Sequence, residues 1–242
     1  MNIKLATWNM AYWSHKKYDK EAWKYFINNI DCDVLLFQES YPNFAILEKN
    51  RTVWNEIGNS RPWGSGIYSK KYKIRELNFN NSFFGAVTAG EITITDSFNL
   101  IVISLYGLFE KINNTIYATP NLHRILSDLT GILQSSKTKN RVIIGGDYNV
   151  SIQIDIDPSY PDNDNKLVFD RLENFGLKNC YDKYHTDFVQ THRHSRSDKP
   201  WQNDYFFVSK KLYSNLIGCN ILDNKDIRKF SDHNPVVIEL DL

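Results

Sequence analysis

At 242 residues, with 42% hydrophobic and 24% charged residues, the chain has the length for one sizeable core and the composition of an ordinary globular protein. Lys and Arg number 29 against 28 Asp and Glu, which excludes a uniformly basic, non-specific nucleic-acid surface and leaves room only for local patches. Three scattered cysteines, Cys32, Cys180 and Cys219, exclude a disulfide framework or a cysteine-based zinc site. No signal-peptide core precedes the first strand and no run reaches membrane-span length, so the reading is a soluble, cytoplasmic protein with a single domain over 1–242.

The first strand is expected at Ile3–Trp8, followed by a helix over Lys20–Ile30 that buries Trp23, Phe26, Ile27 and Ile30. Further strands are expected at Val34–Phe37, Gly66–Tyr68, Val87–Thr95 and Leu100–Leu105, each β-branched or aromatic and bounded by Asn, Asp, Gly or Ser. After Pro120, the positions Leu122, Ile125, Leu126, Leu129, Ile132 and Leu133 mark one face of a helix. The run Val142–Ile144 is a strand stopped by Gly145 and Gly146. The Asp-, Pro- and Asn-rich segment Asp155–Asn165 is a loop, and Lys166–Phe175 is a helix stopped by Gly176. Strands at Tyr205–Val208 and Val236–Leu240 close the chain. Strands and helices alternate in both halves, while Phe79–Leu105 reads as consecutive strands. An α/β mixture of sheets covered by outer helices follows, rather than a purely parallel doubly wound fold.

Polar groups recur at the ends of these apolar runs: Asn9, Gln38-Glu39, Tyr106, Asp147 with Asn149, Asp204, and Asp232-His233. Each alone reads as a turn residue or cap; together they describe a hydrolytic site. Hard divalent ions take carboxylate and carboxamide oxygens, which Glu39, Asn9 and Asp232 offer. Asp147 and Asn149, two apart on an extended segment, would point to one side and orient a water. His233 would lie near a phosphate with Asp204 fixing its tautomer, and Tyr106 would donate to the phosphate or assist the leaving group.

Trp8-Asn9, Gln38-Glu39, Tyr106, Gly146-Asp147-Tyr148-Asn149, Asp204-Tyr205 and Ser231-Asp232-His233, in this order, resemble the endonuclease/exonuclease/phosphatase superfamily. The resemblance implies a four-layered α/β sandwich, two packed mixed sheets flanked by helices, with the site at one end of the sheets. It also implies Mg²⁺ or Mn²⁺ dependence and hydrolysis of phosphoesters. Tyr106, the run Gly146–Ser151 followed by Asp155-Ile156-Asp157, and Trp201 are similar to exonuclease III and the abasic-site endonucleases. Gly107-Leu108-Phe109-Glu110 lacks the Asn and Arg that abasic-site enzymes carry there, and Gln202 stands in place of an Arg.

The basic clusters are Lys16-Lys17, Lys70-Lys71, Lys210-Lys211 and His192-Arg193-His194-Ser195-Arg196. Arg193 and Arg196 are candidate phosphate contacts, Trp201 a candidate sugar-pocket ring, and Trp13 or Trp63 candidate stacking surfaces. The expected function is a monomeric, metal-dependent nuclease acting on DNA or RNA. The alternatives are a phosphatase or phosphodiesterase for a small molecule or lipid head group, and a non-catalytic binding member of the fold.

Overall fold

Asn2–Asn9 and Val34–Ser40 pair in parallel, and so do Phe98–Tyr106 and Val142–Asp147. Parallel neighbours need a crossover connection. The helix Asp19–Asn29 supplies the first, and Thr119–Asp128 with Thr130–Leu133 supplies the second. Each parallel pair forms the centre of a six-stranded sheet whose other neighbours are antiparallel. One sheet runs Leu216–Ile221, Val236–Asp241, Asn2–Asn9, Val34–Ser40, Arg61–Ser69, Thr52–Gly58; the other runs Leu177–Asn179, Asp204–Ser209, Val142–Asp147, Phe98–Tyr106, Val87–Thr95, Ile74–Glu76. The computed structural model describes residues 1–44, 47–58, 60–113, 115–158, 164–195 and 198–242.

Three apolar layers separate four structural ones. Ile3, Leu5, Val34 and Leu36 of the first sheet meet Leu100, Val102, Ile143 and Phe206 of the second. On the outer face of the first sheet, Ala6, Trp8, Leu35 and Phe37 pack on Trp23 and Phe26 of the Asp19–Asn29 helix. On the outer face of the second, Ile101, Ile103, Val142 and Ile144 pack on Leu122, Ile125 and Leu126, and on Val168 and Leu172 of the helix Asn165–Asn174. Each large apolar side chain buried this way contributes about 1.5–3 kcal/mol. The chain is therefore the expected four-layered α/β sandwich.

The strand alternation carries the site. Read along the inner face towards one end of the sandwich, the first strand runs Ile3, Leu5, Thr7, Asn9, and its neighbour Val34, Leu36, Gln38. In the opposing sheet the same faces run Leu100, Val102, Ser104, Tyr106, then Ile143, Gly145, Asp147, then Val208, Phe206, Asp204. All five change from apolar to polar at the same end. The interior is apolar through most of its length and becomes polar there.

Every expected strand and helix forms. Within the two six-stranded sheets, the four strands without a sequence signal, Thr52–Gly58, Ile74–Glu76, Leu177–Asn179 and Leu216–Ile221, are the edges. Edge strands are short or half-exposed, so neither alternation nor apolar run marks them. Gly145 and Gly146 do not stop their strand, which continues to Asp147. A Cβ on Gly146 would lie 1.7 Å from the Leu105 carbonyl oxygen, and one on Gly145 would strike the Phe206 ring at 2.4 Å. Close approach of neighbours, not a turn, requires them. Of the expected loop, 159–163 lie outside the described residues. Asp155 ends a short helix and accepts hydrogen bonds from Asn165 N (3.1 Å) and Lys166 N (2.6 Å), capping the helix that follows.

Candidate active site

Sheet register brings the polar ends together. Asp147 stands opposite Tyr106 on one side and opposite Asp204 on the other, so three side chains of one sheet lie abreast. In the other sheet, Asn9 is the partner of Gln38. Gln38 joins the two sheets instead of facing a substrate: its Nε2 donates to Ser104 Oγ at 2.9 Å, and Ser104 Oγ donates to the Phe37 carbonyl at 2.9 Å.

Alternation alone would put Glu39 on the outer face with Leu35 and Phe37. Instead its φ is 45°, beside a register break between Phe37 and Ser40. A left-handed non-glycine residue costs about 1–3 kcal/mol, and the bulge re-aims the carboxylate towards Asn9. Asn9 Nδ2 donates to Glu39 Oε1 at 3.2 Å and to Asp147 Oδ2 at 2.9 Å, bridging the sheets. Its Oδ1 accepts from Ala11 N at 2.8 Å, so Asn9 becomes a metal ligand only by turning its amide.

Asn149 also differs from expectation. Its φ of 51° shows that it lies past the strand, in the left-handed region and not two steps along an extended segment. What holds it beside Asp147 is its own N–H, which donates to Asp147 Oδ1 at 2.9 Å, and its Nδ2, which donates to the Gly107 carbonyl at 2.9 Å.

His233 completes the cluster. Its Nδ1 lies 2.9 Å from Asp204 Oδ2, and its Nε2 lies 3.9 Å from Asp147 Oδ2 and 4.0 Å from Asp232 Oδ1. The loop is held by Ser231 Oγ donating to the Asn9 carbonyl at 2.7 Å, and by Trp8 Nε1 donating to the His233 carbonyl at 3.1 Å. Burial opposes charge on the ring, but Asp204, Asp147 and Asp232 outweigh it and hold the imidazolium well above its ordinary pKa. Burial, with Asp204 and Glu39 adding to it, raises the Asp147 carboxyl against the pull of His233. Burial also raises Glu39 and, with the Glu39 and Asp147 charges, Tyr106, which stays protonated.

Among the described residues, two buried carboxylate oxygens, Glu39 Oε2 and Asp204 Oδ1, find no hydrogen-bond partner. Unpaired buried carboxylate oxygens among so many acidic groups fit a cation.

The remaining expectations divide. Arg193 is held by structure: its guanidinium donates to Asn234 Oδ1 at 2.7 Å and to the Ser231 carbonyl at 3.4 Å, and lies 3.6 Å from Asp223. Arg196 lies outside the described residues. Trp201 is buried, paired with His192 in a small hairpin. Trp13 is 73% exposed, whereas Trp63 is buried edge-on against Tyr106 at 5.4 Å. Lys70 donates to the Ile30 carbonyl at 2.8 Å, beyond the end of the Asp19–Asn29 helix, so it is occupied structurally.

Sequence reasoning passed over three residues that bear on the site. Thr191 Oγ1 accepts from the N–H groups of Asn203 and Asp204 at 2.9 and 3.0 Å and fixes the approach to Asp204. His192 stacks on His233, with ring centroids 4.3 Å apart and planes 17° apart. Arg61 stands over Trp63 at 5.8 Å. Thr191 and His192 bear on the site through neighbours distant in sequence, and Arg61 through Trp63, whose own contact with Tyr106 is distant in sequence.

The sequence model of the Endonuclease/Exonuclease/phosphatase family matches residues 6–233, from the first strand to His233. The chain belongs to this family. Among solved structures, this family member is similar to the endonuclease domain of TRAS1, a telomere-specific non-LTR retrotransposon, at 15% identity and a TM-score of 0.72, covering 100% of this chain and 99% of that one. It is similar to the AP endonuclease LMAP from Leishmania major at 17% identity and a TM-score of 0.73, covering 100% and 88%. It is also similar to the 3′ phosphatase NExo from Neisseria, solved with a product DNA hairpin, at 17% identity and a TM-score of 0.73, covering 99% and 100%. At these identities the likeness speaks for the fold. No curated protein matches the sequence significantly. Among the described residues, no helix of the family member is long and apolar enough to cross a membrane.

Proposed function

We propose that the protein is a Mg²⁺- or Mn²⁺-dependent nuclease that hydrolyses phosphodiester bonds of DNA or RNA. The observation that carries this reading is the line Asp204–His233–Asp147, a carboxylate-bound imidazole whose other nitrogen faces a second buried carboxylate across 3.9 Å. A phosphate oxygen or water within hydrogen-bond distance of both would sit to one side of the line that joins them.

Asp147, with both oxygens already bonded to Asn9 and the Asn149 N–H, is fixed as the acceptor of a proton from a water that Asn149 helps to orient. The water oxygen forms the new bond to phosphorus while the opposite P–O bond breaks, and the ester oxygen leaves. His233, charged and held by Asp204, donates its Nε2–H to a non-bridging phosphate oxygen. Tyr106, kept neutral, supplies a second donor at the same face. Glu39, with Asp232 and a turned Asn9 amide, would hold the divalent cation, which supplies neutralisation of phosphate charge and stabilisation of the leaving oxygen.

The family and the DNA-acting relatives support a polynucleotide substrate. The test is a panel of labelled single- and double-stranded DNA, RNA, abasic DNA and small phosphoesters, each with Mg²⁺, Mn²⁺ or EDTA, comparing wild type with Asp147→Ala. Cleavage of a polynucleotide that requires metal and Asp147 is the expected result. Activity that persists in EDTA or in the variant overturns the mechanism, and hydrolysis confined to small phosphoesters overturns the nuclease reading.

A further inference from the structure

His192 has no task in the hydrolytic scheme, yet the backbone holds it firmly against the site. An isolated β-bridge pairs His192 with His233. On either side of it, Arg193 N donates to the Asp232 carbonyl at 2.8 Å and Asn234 N donates to the Thr191 carbonyl at 2.7 Å. This ladder fixes the two histidines in register, which is why their rings stack at 4.3 Å. Asp232 faces the same gap, and one ligand atom from each of His192, Asp232 and His233 lies within 4.8 Å of the others.

The His192 ring also has an orienting partner. Its Nδ1 is 3.1 Å from the Asn203 side-chain amide. With the amide oxygen turned to that nitrogen, Nδ1 carries the proton and Nε2 keeps its lone pair, the arrangement that metal-bound histidines use.

Two imidazole nitrogens and one carboxylate suit Mg²⁺ poorly, since it prefers oxygen ligands and dehydrates reluctantly. The same set suits Zn²⁺ and similar transition metals, which accept three protein ligands and keep a fourth position open. Around a tetrahedral Zn²⁺ the ligand atoms stand about 3.3–3.5 Å apart, given bonds of about 2.0–2.2 Å. Closing from the observed spacing needs the near-parallel His192 and His233 rings to turn out of their stack so that their lone pairs converge, and the half-exposed Asp232 side chain has room to follow.

We propose that His192, Asp232 and His233 form a transition-metal site that takes Zn²⁺, and that an ion there releases the Nε2 proton of His233 to solvent and inhibits hydrolysis by removing that nitrogen from the substrate phosphate. The inhibitory half rests on the phosphoester-hydrolase reading; the binding half does not. The site shares Asp232 with the oxygen-rich one at Glu39 and differs from it in its two imidazoles, which Mg²⁺ does not favour.

The probe is Co²⁺, titrated into metal-stripped protein with Mg²⁺ in excess and followed by visible absorption. Wild type should show the band of nitrogen-bound, low-coordinate Co²⁺, and Zn²⁺ should displace it. His192→Phe, which keeps a stacked ring without a ligand, and His192→Gln should both lose the band, with circular dichroism reporting that they are folded. No band in wild type, or a band retained in either folded variant, overturns the site. For inhibition, the Zn²⁺ concentration that halves Mg²⁺-supported hydrolysis should rise by about 10-fold or more in His192→Phe. Equal values in wild type and variant overturn the inhibitory role. Because the Co²⁺ readout needs no substrate, failure of the nuclease reading and failure of the metal site are separately visible.

Discussion

Asp204 and Asp147 face each other across adjacent antiparallel strands, and one imidazole, His233, spans them, 2.9 Å from the first and 3.9 Å from the second. The ring is therefore charged by two carboxylates at once, and the Asp204 charge raises the proton affinity of Asp147. The pH dependence of the enzyme should report this coupling.

In Asp204→Asn, the charge that most favours the His233 imidazolium is lost, so its pKa falls and the alkaline limb of the rate profile moves to lower pH. The same charge raises Asp147, so the acidic limb moves down as well. The whole bell should shift acidward, with kcat reduced about 10²–10⁴-fold at the new optimum. Profiles of kcat and kcat/KM against pH check this; an unmoved alkaline limb would contradict the role given to Asp204.

Glu39→Gln should separate function from stability. The Mg²⁺ concentration for half-maximal activity should rise by about 10–100-fold or more, because a ligand carboxylate is replaced by an amide. The metal-free protein should become more stable at neutral pH. Burial raises the Glu39 pKa in the fold, so ionisation above the ordinary Glu range weighs against the folded state, and Gln removes that penalty. The gain should fade as pH falls below that range, where Glu39 is protonated in both states. Thermal melts in EDTA across pH measure it.

Ser104→Ala tests the link between the sheets. It leaves the buried Gln38 amide and Phe37 carbonyl without the Ser104 hydroxyl, which should cost about 1–3 kcal/mol in urea unfolding. Gln38 does not touch the reacting groups, so KM should change little while thermal stability falls.

Arg193→Ala should likewise act on structure more than on substrate. Its guanidinium is bonded to Asn234 and the Ser231 carbonyl, so removal should loosen the loop that carries Asp232 and His233. The expected result is a stability loss of about 1–3 kcal/mol with an unchanged salt dependence of nucleic-acid binding. A reduced salt slope would restore Arg193 to the substrate.

The site was legible wherever its residues end strong apolar strands: Asn9, Tyr106, Asp147 and Asp204 follow the period of two directly into the polar end of the interior. Glu39 and Asn149 were found as residue types, but their aim was not, because each leaves the strand alternation through a left-handed backbone. Arg193 sat in a basic cluster that promised a phosphate, and tertiary partners had already claimed it. His192 stood in the same cluster, but its bearing on the site comes from a stacked partner 41 positions away.

By itself, the sequence determined the layered α/β architecture, the central strands and the reaction class that the residues at their ends support. Those features follow from local periodicity and residue chemistry, which the linear chain records. Tertiary structure decided the four edge strands, the turned Glu39 carboxylate, the Asn9 bridge between sheets and the His192–His233 stack. Each depends on which distant segment lies alongside, and that is fixed by register and packing only once both sheets have closed over their common core.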